Sequence, residues 1–341
     1  MGNYIKEANY LKGLAILLMF IGHAATPTFL KRPLSYEIVV QFIYSFHMPL
    51  FFIVSGFLAV KSININFRND YFLLLKKRII KLGVPYVVIA LITNIALNIA
   101  SGNITINGFI ESIKTTIFYP ELGAMGALWF LYALLIISIL TPIITKISLE
   151  ASIIITIEAS IIITIIINIF GPRDLYFLAI NRISFFIVYY LIGMYVRKCY
   201  EDKKLKNINN KNIIIIGSVI FLGIYSLIIS KGIVINRIIF NLYMFLCGLV
   251  GSLMMLLIIE KVKKCKRVIS TVEIFGKYSM DIYIFSWFFQ IISMILCTKI
   301  LNISNYNIFF VSNLIIGSIS LPFSVYFIRK IKILRIMFLG S

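Results

Sequence analysis

Charge is scarce in this 341-residue chain. Only 13% of it is Asp, Glu, Lys or Arg, about half of the roughly 25% usual in soluble domains. Against that, 60% is hydrophobic and the mean hydropathy is +0.98. A soluble protein of this size cannot hide so much apolar surface. A polytopic α-helical membrane protein can, because lipid is its solvent. Cysteine is sparse as well: Cys199, Cys247, Cys265 and Cys297 stand at no metal-ligand spacing, so no metal site is expected. Cys199 and Cys265 fall in loops assigned below to the cytosolic side, where thiols stay reduced. No small-residue cleavage pattern follows the apolar run 11–21, so no removable signal peptide is expected. No soluble domain is expected at either end, and 1–341 reads as one membrane-embedded domain.

What is plentiful is positive charge, a net +20. A nucleic-acid partner is excluded because the cations form no single soluble face. They sit in short clusters between apolar runs, as membrane topology requires. A span needs about 20 apolar residues, and such stretches lie near 9–29, 38–60, 79–100, 124–144, 151–170, 180–196, 213–230, 238–259, 278–298 and 306–328. With the N-terminus in the cytosol, 24 of the 33 Lys and Arg fall on the cytosolic side and 8 outside, with Lys12 inside the first span. The expected fold is an all-α polytopic transmembrane bundle of about ten spans with both termini cytosolic. The richness in Ile, Lys and Asn points to an AT-biased, bacterial genome, hence to a bacterial cytoplasmic membrane. In that setting the sequons Asn103-Ile104-Thr105 and Asn302-Ile303-Ser304 are accidental. One internal repeat, 152–159 followed by 160–167, reads as lipid-facing low-complexity helix. Glu158 within it is either protonated or turned into the bundle.

The only two histidines, His23 and His47, both lie in spans. A titratable ring in hydrocarbon is costly without a partner or water, and such residues mark pathways and sites. The alternative is a ring hydrogen-bonded between helices with no chemistry. Lys12 precedes His23 by eleven residues, which returns it to within about 20° of the same helix face, roughly 16 Å lower. Lys12 also has a second reading, snorkelling to the headgroups. Gly13 and Gly22 beside them allow close approach of a helix or ligand. The second span runs the opposite way. His47 lies roughly 14 Å from its outer end and His23 roughly 21 Å above the inner face, within about one turn in depth. Spans joined by a short loop are neighbours, so the two rings can share one cavity. Pro49 is expected to kink the second span and free a backbone carbonyl. Ser45 and Ser55 add polar groups to it. The fourth span carries 126–132, GALWFLY, whose aromatics Trp129 and Tyr132 fit packing or an interfacial belt as well as substrate contact. The run 76–81, KKRIIK, is a topology signal that can also bind phosphate, Arg as a fork and Lys as a point charge.

Together these stretches resemble the integral-membrane acyltransferase family 3, the bacterial surface-polysaccharide O-acyltransferases, and within it the fucose 4-O-acetylase-like branch. The resemblance rests on Lys12 followed by His23 after ten residues, and on Phe46-His47-Met48-Pro49-Leu50-Phe51-Phe52 continuing to Ser55-Gly56. It extends to Arg78-Ile79-Ile80-Lys81, Leu128–Leu131, and Ser279 with Tyr283 four residues on. The chain departs from the family in having Lys12 where Arg is usual, and Ser286 where many members carry His. The resemblance implies an acetyl or other short acyl group moved from a coenzyme A thioester, a donor substrate and not a bound cofactor, to a sugar hydroxyl. It implies His23 as base or acyl carrier with Lys12 and His47 assisting, and Lys77, Arg78 and Lys81 on the donor phosphates. Trp129, Tyr132, Ser55 and Tyr283 are candidates for substrate contact. The expected partners are a carbohydrate acceptor and membrane lipid, with no oligomeric state implied. The rival readings are an exporter or flippase of lipid-linked sugar, and a sensor or scaffold. A transporter should show paired broken helices in two halves of a repeat, and no such symmetry is present.

Overall fold

A computed structural model describes residues 3–25, 30–59, 70–102, 105–146, 148–170, 177–201, 210–234 and 236–341. Expectations resting on Lys61, Arg68, Arg173, Lys203, Lys204, Lys206 and the sequon at Asn103 lie outside them. Among the described residues there is no strand. The helices are α1 (Asn3–Ala24), α2 (Leu34–Tyr44), α3 (His47–Ala59), α4 (Asp70–Arg78), α5 (Val84–Ala100), α6 (Ile106–Phe118), α7 (Trp129–Ile144) and α8 (Leu149–Phe170). They continue with α9 (Ile180–Glu201), α10 (Lys211–Ser230), α11 (Arg237–Val262), α12 (Lys266–Lys277), α13 (Ser279–Ile295), α14 (Tyr306–Ser318), α15 (Ser320–Phe323) and α16 (Lys332–Leu339).

Among the described residues, eight helical stretches are long and apolar enough to cross a membrane: Leu34–Ala59, Asp70–Ala100, Gly126–Ile144, Phe177–Cys199, Lys211–Ser230, Ile239–Val262, Ser279–Ile300 and Tyr306–Ile328. They match eight of the expected positions, and α1 and α8, of 22 residues each, stand at the other two. Helices also occur among the described residues where loops were expected, α6 and α12 between spans and α4 and α16 beside them. α6 and α12 have 13 and 12 residues, about 20 and 18 Å, shorter than the roughly 30 Å of hydrocarbon.

The chain divides into two compact units. The first comprises 1–54 and 199–327. At its centre α1 and α12 cross with backbones in contact. A Cβ on Gly13 would lie 2.0 Å from the Val272 carbonyl oxygen, and one on Gly276 1.9 Å from that of Asn9. The two contacts make the pair antiparallel, and glycine is the only residue that fits at either. From Gly276 beside Asn9, the chain turns so that Gln290 of α13 reaches the carbonyl of Phe20. α13 therefore runs parallel to α1. On α11, Gly251 leaves room for Phe46, whose ring would otherwise meet its Cβ at 2.3 Å. Lys263 pairs with Glu7 at 2.6 Å and Lys211 with Glu260 at 2.5 Å, closing the ends of α1, α10 and α11. Gly276→Ala should lower stability, by about 1–3 kcal/mol or more of overpacking because backbone yields less than side chain. Gly217→Ala, with nothing within 4 Å of the added carbon, should leave it level or raise it by about 0.5–1 kcal/mol. Thermal denaturation of both in one detergent checks the contrast.

The second unit comprises 55–198 and 328–341. Gly56 lies on the α9 backbone, where a Cβ would fall 1.8 Å from the Tyr190 carbonyl oxygen. A polar ladder ties α6 antiparallel along α5. Asn98 donates to the Gly108 carbonyl and to Ser112 Oγ, both at 2.6 Å, and Asn94 donates to Thr116 Oγ1 at 3.0 Å. Asn94 Oδ1 also accepts the Ala124 amide at 2.8 Å, fixing the loop before α7. In apolar surroundings each of these groups needs its partner, so the ladder sets the register of the pair. The repeat in α8 has two faces. Ile154, Ile155, Ile161 and Ile162 are exposed, as expected of lipid-facing residues, while Ser152 and Thr156 are buried and Ser160 donates to the Ser184 carbonyl of α9. Glu158 stays on the exposed face, so the reading that turned it into the bundle is not met.

Candidate active site

The turn of α1 that carries His23 is held from outside the helix. The last carbonyls of any helix lack intrahelical partners. Here Tyr306 donates to the Ala25 carbonyl at 2.6 Å and Asn313 to that of Ala24 at 3.0 Å. Gln290 donates to that of Phe20 at 3.2 Å. Three side chains from α13 and α14 thus fix the last turns of α1. Gly22, one residue before His23, faces Tyr44, whose Cε1 would lie 2.6 Å from a Cβ there. The close approach expected at Gly13 and Gly22 is therefore made by protein at both.

The second span breaks where Pro49 led one to expect it. α2 ends at Tyr44, a turn follows at Ser45 and Phe46, and α3 restarts at His47. The break sets Tyr44 between the two imidazoles, its ring centroid 6.0 Å from that of His23 and 5.1 Å from that of His47. The histidines differ in exposure and bonding. His47 is 4% exposed, and its Nδ1 lies 3.0 Å from the Ile43 carbonyl oxygen. A carbonyl only accepts, so Nδ1 carries the proton and Nε2 keeps its lone pair. His23 is partly exposed, and its ring has no hydrogen bond to any described residue.

Lys12 does not join this pair. Eleven residues of continuous helix set it roughly 16 Å from His23, too far for its side chain to bridge. The parallel register of α1 and α13 puts Lys12 instead at the level of Asp281 and Tyr283, both buried. Asp281 accepts from Ser324 Oγ at 2.6 Å. Ser286, standing where many relatives carry His, is buried on the same helix.

The remaining candidates lie in the second unit. Arg78 ends α4 half-buried, while Lys77 and Lys81 are exposed. Lys81 sits in a π-helical turn, Ile79–Gly83, a wider coil of a kind frequent at functional positions. The chain returns to this turn at its end. Gly340, at φ +63, ends α16 with its backbone against Lys81, where a Cβ would lie 2.5 Å from the Lys81 Cα. Tyr132 meets Tyr86 at a tilt, ring centroids 5.3 Å apart, and lines an apolar cavity of about 420 Å3 among α7, α8 and α9. Trp129 packs between the Arg182 guanidinium at 5.0 Å and Phe186 at 5.2 Å. Ser55 is half-buried beside Gly56.

The model of the acyltransferase 3 family, described as an acyltransferase domain, matches residues 5–329. The chain belongs to the acyltransferase 3 family. The match covers both units and takes in every candidate residue above. It makes this protein an enzyme that transfers acyl groups, built as an integral membrane protein, and so favours that reading over an exporter or a scaffold. Comparisons with curated proteins and with solved structures found no match.

Sequence reasoning did not single out Tyr44, Gln290, Tyr306, Asn313, Asp281 or Arg197 in this acyltransferase. Arg197 was counted as a loop cation, yet it is 6% exposed and stacks on Phe57 at 5.2 Å. Gln290 and Asn313 carried a usable signal, since amides in spans seek partners across helices. Tyr44 carried none, because tyrosine is ordinary in such helices.

Proposed function

We propose that this protein is an O-acyltransferase of the bacterial cytoplasmic membrane that moves an acetyl or other short acyl group from a coenzyme A thioester to a hydroxyl of a cell-surface carbohydrate. The observation that carries this reading is the contrast between the two histidines. A structural imidazole is buried and hydrogen-bonded, as His47 is. His23 is only partly buried and is hydrogen-bonded to no described residue, which leaves its ring nitrogens for a substrate.

In the reaction the acceptor oxygen attacks the thioester carbonyl while His23 takes the hydroxyl proton. The carbon–sulfur bond then breaks, and the imidazolium returns the proton to the departing thiolate, giving ester and free thiol. His47, held by Ile43, and Tyr44 between the rings keep the geometry. Lys12 serves at the level of Asp281 and Tyr283, away from the proton transfer. Lys77, Arg78 and Lys81 hold the donor phosphates, which requires both termini and the 76–81 run to be cytosolic, as the distribution of Lys and Arg supports. Tyr132, Trp129 and Ser55 in the second unit, and Tyr283 in the first, are each assigned to substrate contact.

Mass spectrometry of surface glycans tests the reading. A deletion strain should lose one acyl-sized increment from a defined sugar and regain it on complementation. Identical glycans with and without the gene would rule out the carbohydrate acceptor.

A further inference from the structure

The second unit contains a buried carboxylate that the scheme above does not use. Glu121 lies in the loop 119–125 between α6 and α7, with its side chain 5% exposed. Its Oε2 accepts from Arg182 Nε at 2.8 Å. Its Oε1 is buried and has no hydrogen-bond partner among the described residues. A buried carboxylate oxygen without a donor is costly, so the arrangement calls for a group that donates. Arg182 is anchored over Trp129 at 5.0 Å, and its side chain is 44% exposed. With Nε committed to Glu121, its terminal nitrogens remain as donors on the open side. In the same loop, two residues before Glu121, Tyr119 meets Phe177 at 6.0 Å, with 38% and 41% of their surfaces exposed. The Phe118–Phe177 stack at 5.9 Å brings the two segments together.

We propose that Glu121 and Arg182, with the exposed rings of Tyr119 and Phe177, form a binding subsite for a vicinal diol of a neutral sugar. One hydroxyl donates to Glu121 Oε1. Its neighbour accepts from the Arg182 guanidinium, and the apolar face of the sugar ring covers the aromatics. The charge balance selects this class. The ion pair is neutral overall, so it offers a free cation no net attraction. A phosphate or carboxylate would meet Glu121 as a like charge. A hydroxyl pair is donor and acceptor at once and satisfies both sides.

The inference rests on the carbohydrate-acceptor reading and names where that acceptor is held. The test uses full-length protein in nanodiscs, acetyl-CoA, and oligosaccharides released from the glycan of a deletion strain. Glu121→Gln should raise the KM for the oligosaccharide about ten- to a hundredfold, as expected for a lost charge-assisted bond, with kcat and the KM for acetyl-CoA unchanged. The charge-swapped double variant Glu121→Arg with Arg182→Glu restores the ion pair but reverses donor and acceptor, and should not recover the oligosaccharide KM. An unchanged oligosaccharide KM in Glu121→Gln, or full recovery in the swapped variant, would show a loop clamp and overturn the proposal. Wild-type protein that transfers to no saccharide would instead remove the reading on which it rests.

Discussion

His23→Gln should reach the membrane at wild-type abundance and transfer acyl groups about 10²–10⁴-fold more slowly, the usual contribution of a positioned general base. Glutamine keeps a polar side chain of similar reach but has no basic nitrogen at neutral pH. A structural histidine tolerates that exchange and suffers instead from truncation to alanine. The last turns of α1 are held through the backbone carbonyls of Phe20, Ala24 and Ala25, none of which the substitution touches, so insertion and folding should be preserved. Acyl incorporation into surface glycan, measured beside membrane abundance, checks it. Near-normal activity of the Gln variant would remove His23 from the chemistry.

The second large effect is expected at the donor side. Replacing Arg78 and Lys81 together by Ala should lower kcat/KM for the acyl-CoA by about 10²–10⁴, from two charge-assisted phosphate bonds of about 1.5–3 kcal/mol each. The KM for the acceptor should move far less. A donor lacking the ribose phosphate should narrow the gap between variant and wild type. Steady-state kinetics with both donors on properly inserted protein checks it. Equal loss toward donor and acceptor would move the phosphate site elsewhere.

How much of the site was legible follows from the range of each interaction. That His23 and His47 lie near one depth could be read from helical rise and a short connection, because both quantities are local. That Tyr44 stands between them could not, because it depends on where α2 stops and α3 restarts. Gly13 and Gly22 announced close approach but not what approaches. The partners proved to be the Val272 carbonyl, 259 residues away in the chain, and Tyr44. Glu121 read as an unremarkable loop acid. Its pairing with Arg182, 61 residues on, joins segments that no periodicity connects. Helices α6 and α12 escaped notice because they are too short to span. Their burial depends on neighbours, through the Asn94 and Asn98 ladder for one and the Gly13–Gly276 crossing for the other.

The sequence alone determined that this is an all-helical membrane protein, and where its apolar stretches run. Hydrocarbon leaves the backbone no partner but itself, so length and hydropathy suffice to choose the helix and place it. It also determined the basic turn at 78–81 and the motifs by which the acyltransferase family was legible. Tertiary structure decided which histidine is hydrogen-bonded and which is not among the described residues, and which carbonyls of α1 are held by Gln290, Tyr306 and Asn313. It also decided that Asp281 and Tyr283 stand at the level of Lys12, and that one oxygen of Glu121 is buried without a donor. Lipid drives helices to form but provides little to tell one apolar face from another. Pairing among spans is therefore settled by a few small residues and polar side chains whose partners lie far away in the chain.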